Sequence, residues 1–218
     1  MVSISGGNTG GGVWGDRLVT LVRLLMGACY VINGLNWFFK IITPYPSLSD
    51  FVHYRPPPDI VGALIENGIL FNLAKATELI TGLALLSNRL VPAMLVVAMT
   101  VTVPVFLVDD LTHPHLRGVL MGSGSLVMNL FLLVAYFSHY RPMLAAKGAP
   151  SLDPTAARTA DGGGVADLVG GLLRPLAPAL GAVAAALGLA MLTWLLVMVA
   201  QHAINPQPIT AVHPLQPR

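Results

Sequence analysis

Residues 18–39, LVTLVRLLMGACYVINGLNWFF, and residues 69–87, ILFNLAKATELITGLALLS, decide the fold. Each is an uninterrupted apolar run of about 20 residues, the length a helix needs to cross the hydrocarbon of a bilayer. The second run carries Lys75 and Glu78. Around them, however, Ile69, Leu70, Phe71, Leu79, Ile80, Leu83, Leu85 and Leu86 are as apolar as the residues of any other span. Working outward, three more runs qualify: Leu90 to Val108, Val119 to Phe137 and Ala179 to Ala200. A membrane β-barrel needs short alternating strands, whereas these runs are continuous and rich in Leu, Ala and Met. The expected fold is therefore an all-α membrane protein: a four-helix transmembrane bundle over residues 18–137 and one additional C-terminal transmembrane helix over 179–200.

Composition agrees. Of 218 residues 55% are hydrophobic and 10% charged, against roughly 25% charged in a soluble domain. A formal net charge of +2 with no basic run argues against a nucleic-acid surface. The single cysteine, Cys29, excludes an intramolecular disulfide, a Cys-x-x-Cys pair and a thiolate zinc site. Residues 1–17 read as a flexible N-terminus whose first 15 residues hold no Lys or Arg, so the first span reads as retained rather than as a signal peptide.

The connections differ in kind. Asn88 and Arg89 alone separate spans two and three, which predicts a tight antiparallel hairpin with Pro92 in the first turn of the third helix. Pro104 predicts a kink near the far end of that helix. Residues 40–68, with Pro44, Pro46 and Pro56 to Pro58, read as a stiff loop over one mouth of the bundle. Residues 138–178 read as a flexible linker whose last part, Val165 to Leu176, is a candidate interfacial helix. Span five carries Gly181, Ala185 and Gly188 at small-xxx-small spacing, either for a partner or as plain lipid-facing helix. It reads as an addition to a four-span unit, followed by an external tail over 201–218. Arg17, Arg89, Arg141, Lys147, Arg158 and Arg174 outnumber Lys40, Arg55, Arg117 and Arg218 on the opposite side, placing the N-terminus and the linker in the cytoplasm.

Ionisable residues inside spans are functional candidates by default, and here they are Arg23, Lys75 and Glu78. At 1.5 Å per residue, Arg23 lies roughly 8 Å and Glu78 roughly 14 Å from a shared inner level, a gap that an extended guanidinium bridges. From the outer edge Lys75 and Asn33 each lie roughly 9 Å deep, and Asn72 and Asn36 roughly 5 Å deep. Thr100 and Asn129 fall near the level of Glu78. Arg23, Gly27, Tyr30, Gly34 and Trp37 form one stripe of the first helix, and Gly27, Gly34 and Gly82 would let the first two helices approach closely. Two readings of this network stay open. It is a structural ion-pair system fixing helix register, or it lines a site for a small polar or quinone-like ligand or relays a proton, with Glu78 as the titrating member.

At these residues the chain resembles the DoxX family of small bacterial membrane proteins. The likeness consists of Arg23, Gly27, Asn33-Gly34 and Phe39-Lys40 in the first span, then Lys75, Glu78, Gly82-Leu83 and Leu85-Leu86 in the second, and Asn88-Arg89 before the third. It covers about Arg17 to Tyr140. The resemblance implies a four-helix membrane bundle in the bacterial inner membrane. Some members of that family are subunits of membrane oxidoreductases, including thiosulfate:quinone oxidoreductase, and others accompany thiol or oxidative-stress enzymes. Carried over, Arg23, Lys75 and Glu78 are the positions of interest. The implied partners are other membrane subunits besides lipid, and the implied cofactor is a quinone that is not covalently bound. The proline-rich loop, the linker and the fifth span depart from the family pattern.

Other chemistry is thinner. Asp109, Asp110, His113 and His115 are weak candidate metal ligands, because Pro114 stiffens the histidine pair and no regular helix aims both imidazoles inward. His53, His139, His202 and His213 lie in loops or at span edges, which argues against bis-imidazole haem, although His202 stays open as a single axial ligand. Trp14, Trp37, Phe38, Phe39, Tyr136, Phe137 and Tyr140 collect at span ends as headgroup anchors. Gly10 to Gly12 and Gly162 to Gly164 lack any nucleotide-binding spacing.

Overall fold

A computed structural model describes residues 10–39, 41–42, 64, 67–112, 116–140, 143 and 165–206. Its elements, in chain order, are α1 (Gly10–Phe39), α2 (Leu70–Ser87), α3 (Val91–Phe106), a π-helical turn (Leu107–Thr112), α4 (Leu116–Ala135), α5 (Phe137–Tyr140), α6 (Val165–Leu173) and α7 (Ala177–Ile204). No strand occurs among the described residues. Five helices are long and apolar enough to cross a membrane, over Trp14–Phe39, Leu70–Ser87, Val91–Leu111, Gly118–Ala135 and Ala177–Ile204. The chain is an all-α, multi-pass membrane protein.

The hairpin after α2 forms through an Asn at the position where the chain must turn left-handed. Asn88 takes φ 55°, its N–H meets the Leu85 carbonyl, and the Arg89 N–H meets the Ala84 carbonyl. That pair of bonds closes the end of a helix whose last carbonyls have no intrahelical partner. Leu90 is also left-handed, with φ 53°, and Pro92 then opens α3. At the far end of α3, Pro104 withholds an N–H from the helical ladder. The chain continues helically to Phe106 and then widens into the π-helical turn.

Packing follows the small residues. A Cβ on Gly34 would lie 2.8 Å from Leu79 Cβ, and one on Gly82 would lie 2.8 Å from both the Gly27 carbonyl oxygen and the Val31 nitrogen. Backbone-to-backbone approach of α1 and α2 therefore requires these glycines. α2 also packs on α3, α3 on α4, and α1 touches α4 across this four-helix ring. α7 is no appendage. It lies in the groove between α1 and α4, where Gly181 sits against Phe131 and Leu18, and Gly188 against Met128 and Leu25. The small-residue stripe of the fifth span thus docks inside the chain rather than on lipid or a separate partner.

One continuous core results, from Val22, Met26 and Cys29 of α1, Leu85 of α2, Leu95 and Ala98 of α3, Met128 and Leu132 of α4, and Ala184, Met191 and Leu195 of α7. Exposed Leu24, Leu73, Ile80, Leu83, Val96, Leu130, Val183, Leu189 and Leu196 point outward from the bundle. Such a surface is stable against acyl chains and not against water. At the hairpin end, Tyr140 donates its hydroxyl hydrogen to the Pro92 carbonyl at 2.7 Å. Burial pushes that phenol up to about 12, with Tyr136 adding to the rise.

Candidate functional site

α1 and α2 position the site. Their glycines bring the backbones together, and the facing side chains then meet at a register set by Gly34 against Leu79. Lys75 and Glu78 stand one turn apart on the buried face of α2 and form an ion pair at 3.0 Å, their side chains only 8% and 5% exposed. The ammonium reaches both carboxylate oxygens at 3.0 Å. From α1, Asn33 Nδ2 donates to Glu78 Oε2 at 2.7 Å. The carboxylate is thus held by one cation and one neutral donor, and the pair is neutral as a whole. This is the form in which two charges persist in a low-dielectric core.

A second tier leads from the pair toward the end of the bundle that carries the 40–69 connection. Lys75 Nζ lies 5.4 Å from the centroid of the Phe71 ring, within cation–π range. Phe71 meets Trp37 edge-on, with centroids 4.5 Å apart. The Trp37 indole N–H donates to Asn72 Oδ1 at 2.6 Å, and Asn72 Nδ2 donates to the Gly68 carbonyl. Asn72 is exposed while Lys75 and Glu78 are buried, so polar and aromatic groups run continuously from the mouth to the buried charges. Trp37 therefore does more than anchor the helix end. Its place in the Gly27–Tyr30–Gly34–Trp37 stripe was the signal for that.

Arg23 corrects one expectation. It is buried, but its guanidinium donates to the Leu85 carbonyl in the last turn of α2 and not to Glu78. Long helical side chains lean toward their own N-terminus, which carries Arg23 away from Glu78 and toward the carbonyl-rich end of α2. A cation there takes the second lone pair of a carbonyl that already meets the Asn88 N–H, and it complements the helix dipole.

The Asn36–Asn72 level is likewise reassigned. Asn36, 1% exposed, accepts from the Ile42 N–H at 2.7 Å and fixes the chain after α1, while Trp37 takes Asn72. Asn129 does not join Glu78 either. Its Nδ2 donates to Thr102 Oγ1 at 3.3 Å, and Thr102 pairs with the Tyr30 hydroxyl at 2.7 Å, forming a separate cluster among α1, α3 and α4. Thr100 is exposed and bonds the Val97 carbonyl of its own helix. Two residues on, Thr102 holds the inward position.

Asp109 and Asp110 fall in the π-helical turn, where a Cβ on Gly122 would run into the Asp110 carboxylate. His113 and His115 lie outside the described residues, as does most of the proline-rich loop and the linker. Among the described residues no group of three or more His, Cys, Asp and Glu side chains is arranged to hold a metal ion. His202 lies in the last turn of α7.

Comparison with family models, with curated proteins and with solved structures finds no match.

Proposed function

We propose that this chain is a DoxX-like integral membrane subunit of a redox or electron-transfer assembly, linked to quinone and not catalytic by itself. The observation that carries this reading is the ladder from exposed Asn72 through Trp37 and Phe71 to the buried Lys75–Glu78 pair. The lining suits a quinone headgroup: the second hydrogen of Asn72 Nδ2 matches a carbonyl oxygen, and the Trp37 and Phe71 rings offer flat apolar neighbours. Asn72 would hold the headgroup, with Trp37 and Phe71 beside it. When bound, the quinone would supply the two-electron acceptor. Around it, Asn33 fixes the Glu78 carboxylate, and Lys75 keeps its charge balanced.

The resemblance in α1 and α2 supports the redox setting and a bacterial inner membrane, and the Lys and Arg distribution supports a cytoplasmic N-terminus. A second reading draws on the tight α1–α2 contact: the ion pair only locks helix register, and the chain packs as an accessory subunit against a larger complex.

Mild-detergent isolation from native membranes separates the two. Under the first reading a redox partner co-isolates, and Glu78→Gln abolishes quinone reduction by the assembly at normal membrane levels. Turnover unaffected by Glu78→Gln, with the chain stoichiometric in the complex, establishes the second. Solute uptake by the chain alone in vesicles overturns both.

A further inference from the structure

The Tyr30–Thr102–Asn129 cluster has a donor shortage that identifies what else it binds. Thr102 Oγ1 gives its only hydrogen to the Ala98 carbonyl at 2.8 Å. It therefore accepts from both neighbours: the Tyr30 hydroxyl at 2.7 Å and Asn129 Nδ2 at 3.3 Å. Asn129 is 0% exposed, and its Oδ1 has no hydrogen-bond partner. On α2, Thr81 is also 0% exposed, and its Oγ1 has none.

Helix register and hydrogen bonding bring the two residues to a similar depth of the bundle. The α1–α2 register, fixed by Asn33 with Glu78 and Gly34 with Leu79, sets Thr81 opposite Tyr30. Asn129 is tied to Tyr30 through Thr102 from the other side. Thr81 follows Glu78 by three residues and so lies on the same face of α2. Buried acceptors of this kind are satisfied in native proteins by protein or by ordered water.

We infer that the middle of the bundle, between α1, α2, α3 and α4, is a water-binding site. A bound water donates to Asn129 Oδ1 and reaches Thr81 Oγ1 directly or through a second water. The Lys75–Glu78 pair then borders a hydrated pocket rather than a dry core. Small neutral molecules of the size of water are the class of ligand this pocket admits, because its two unpartnered groups are an amide oxygen and a hydroxyl, which together call for a ligand that both donates and accepts.

The test is a stability cycle on the full chain in detergent. Thr81→Val keeps the shape and removes the hydroxyl, so the fold persists. With shared water, Thr81→Val lowers the unfolding midpoint by about 2 to 4 °C in the parent chain. In the Asn129→Leu background the same change has less than about half that effect, because the shared partner is already lost. A midpoint that rises or stays fixed with Thr81→Val, or that falls equally in both backgrounds, overturns the inference. A high-resolution experimental structure gives an independent reading. Ordered density within hydrogen-bond distance of Asn129 Oδ1 supports the site, and a dry contact there refutes it.

Discussion

Gly82→Ala is the sharpest perturbation available, since it changes one methyl group at the point where two backbones touch. The added Cβ would lie 2.8 Å from the Gly27 oxygen and the Val31 nitrogen, and ordinary contact begins at 3.4 Å, so α1 and α2 must part by about 0.6 Å. Both obstacles are backbone atoms, which no rotamer change removes. Overpacking of this kind costs about 1 to 3 kcal/mol, while alanine in place of a helical glycine returns about 1 kcal/mol.

The net expectation for Gly82→Ala is a loss of up to about 2 kcal/mol, or up to roughly 6 °C in the unfolding midpoint for a chain of this size. The same displacement stretches the 2.7 Å bond from Asn33 to Glu78 toward the outer limit of hydrogen bonding. On the proposed function, turnover of the assembly should therefore fall more steeply than stability does. Thermal unfolding in detergent and turnover of the isolated assembly, measured side by side, check both parts. A Gly82→Ala protein as stable as the parent, with unchanged turnover, would refute the close approach and the register built on it.

Lys75→Met strands a buried carboxylate, and removing one partner of a buried pair costs about 3 to 5 kcal/mol; the double variant Lys75→Met with Glu78→Gln should recover most of that loss in thermal unfolding. Recovery that fails to appear would mean that the pair does not act as a unit. Gly188→Leu drives a side chain into Met128 and Leu25, so α7 should detach from α1 and α4, seen as faster proteolysis of the 138–178 segment and a lower midpoint. Tyr140→Phe should lower the midpoint by about 2 to 4 °C through loss of the bond to the Pro92 carbonyl. Because the Tyr140 phenol is raised from 10.0 to about 12, its contribution is complete below pH 10 and is lost as pH rises toward 12. The parent and Tyr140→Phe midpoints should then converge across that range.

What the sequence makes legible is what lipid dictates. Five apolar runs of spanning length admit little besides helices, and two residues between Ser87 and Leu90 admit little besides a hairpin. The glycine spacing of Gly27, Gly34 and Gly82 also reads directly, since nothing else lets helices approach so closely. Depth arithmetic puts Asn33 level with Lys75, and the structure instead bonds Asn33 to Glu78, one turn further along α2, where Lys75 also pairs. Depth alone says nothing of the direction a side chain leans. Arg23 sits at the right level to reach Glu78 and instead turns to the Leu85 carbonyl. Nor does spacing say which helix a small-residue stripe meets. Gly181 and Gly188 read equally well as a partner surface, and only the packed bundle puts them on α1 and α4. Thr100 and Thr102 are indistinguishable by depth, and their opposite fates follow from a rotation of roughly 200° between positions two residues apart.

The bundle therefore divides its work between two halves. α4 and α7 meet through Phe131 and Met128 against Gly181 and Gly188, contacts that bring rigidity and no charge. α1 and α2 carry Arg23, Lys75 and Glu78, each with a partner inside that helix pair: Lys75 pairs with Glu78, and Arg23 donates to a carbonyl at the end of α2. Lys75 and Glu78 meet within one helix, so their pairing survives small movements of the other helices. Movement between α1 and α2 would instead break the bonds that Asn33 and Arg23 make across that one contact. A ligand that entered at Trp37 and Asn72 and wedged these helices apart by even a few tenths of an ångström would loosen Asn33 from Glu78 and leave the carboxylate to Lys75 alone. On the proposed function, occupancy of the mouth would then be felt at the buried carboxylate through the α1–α2 contact that the glycines make.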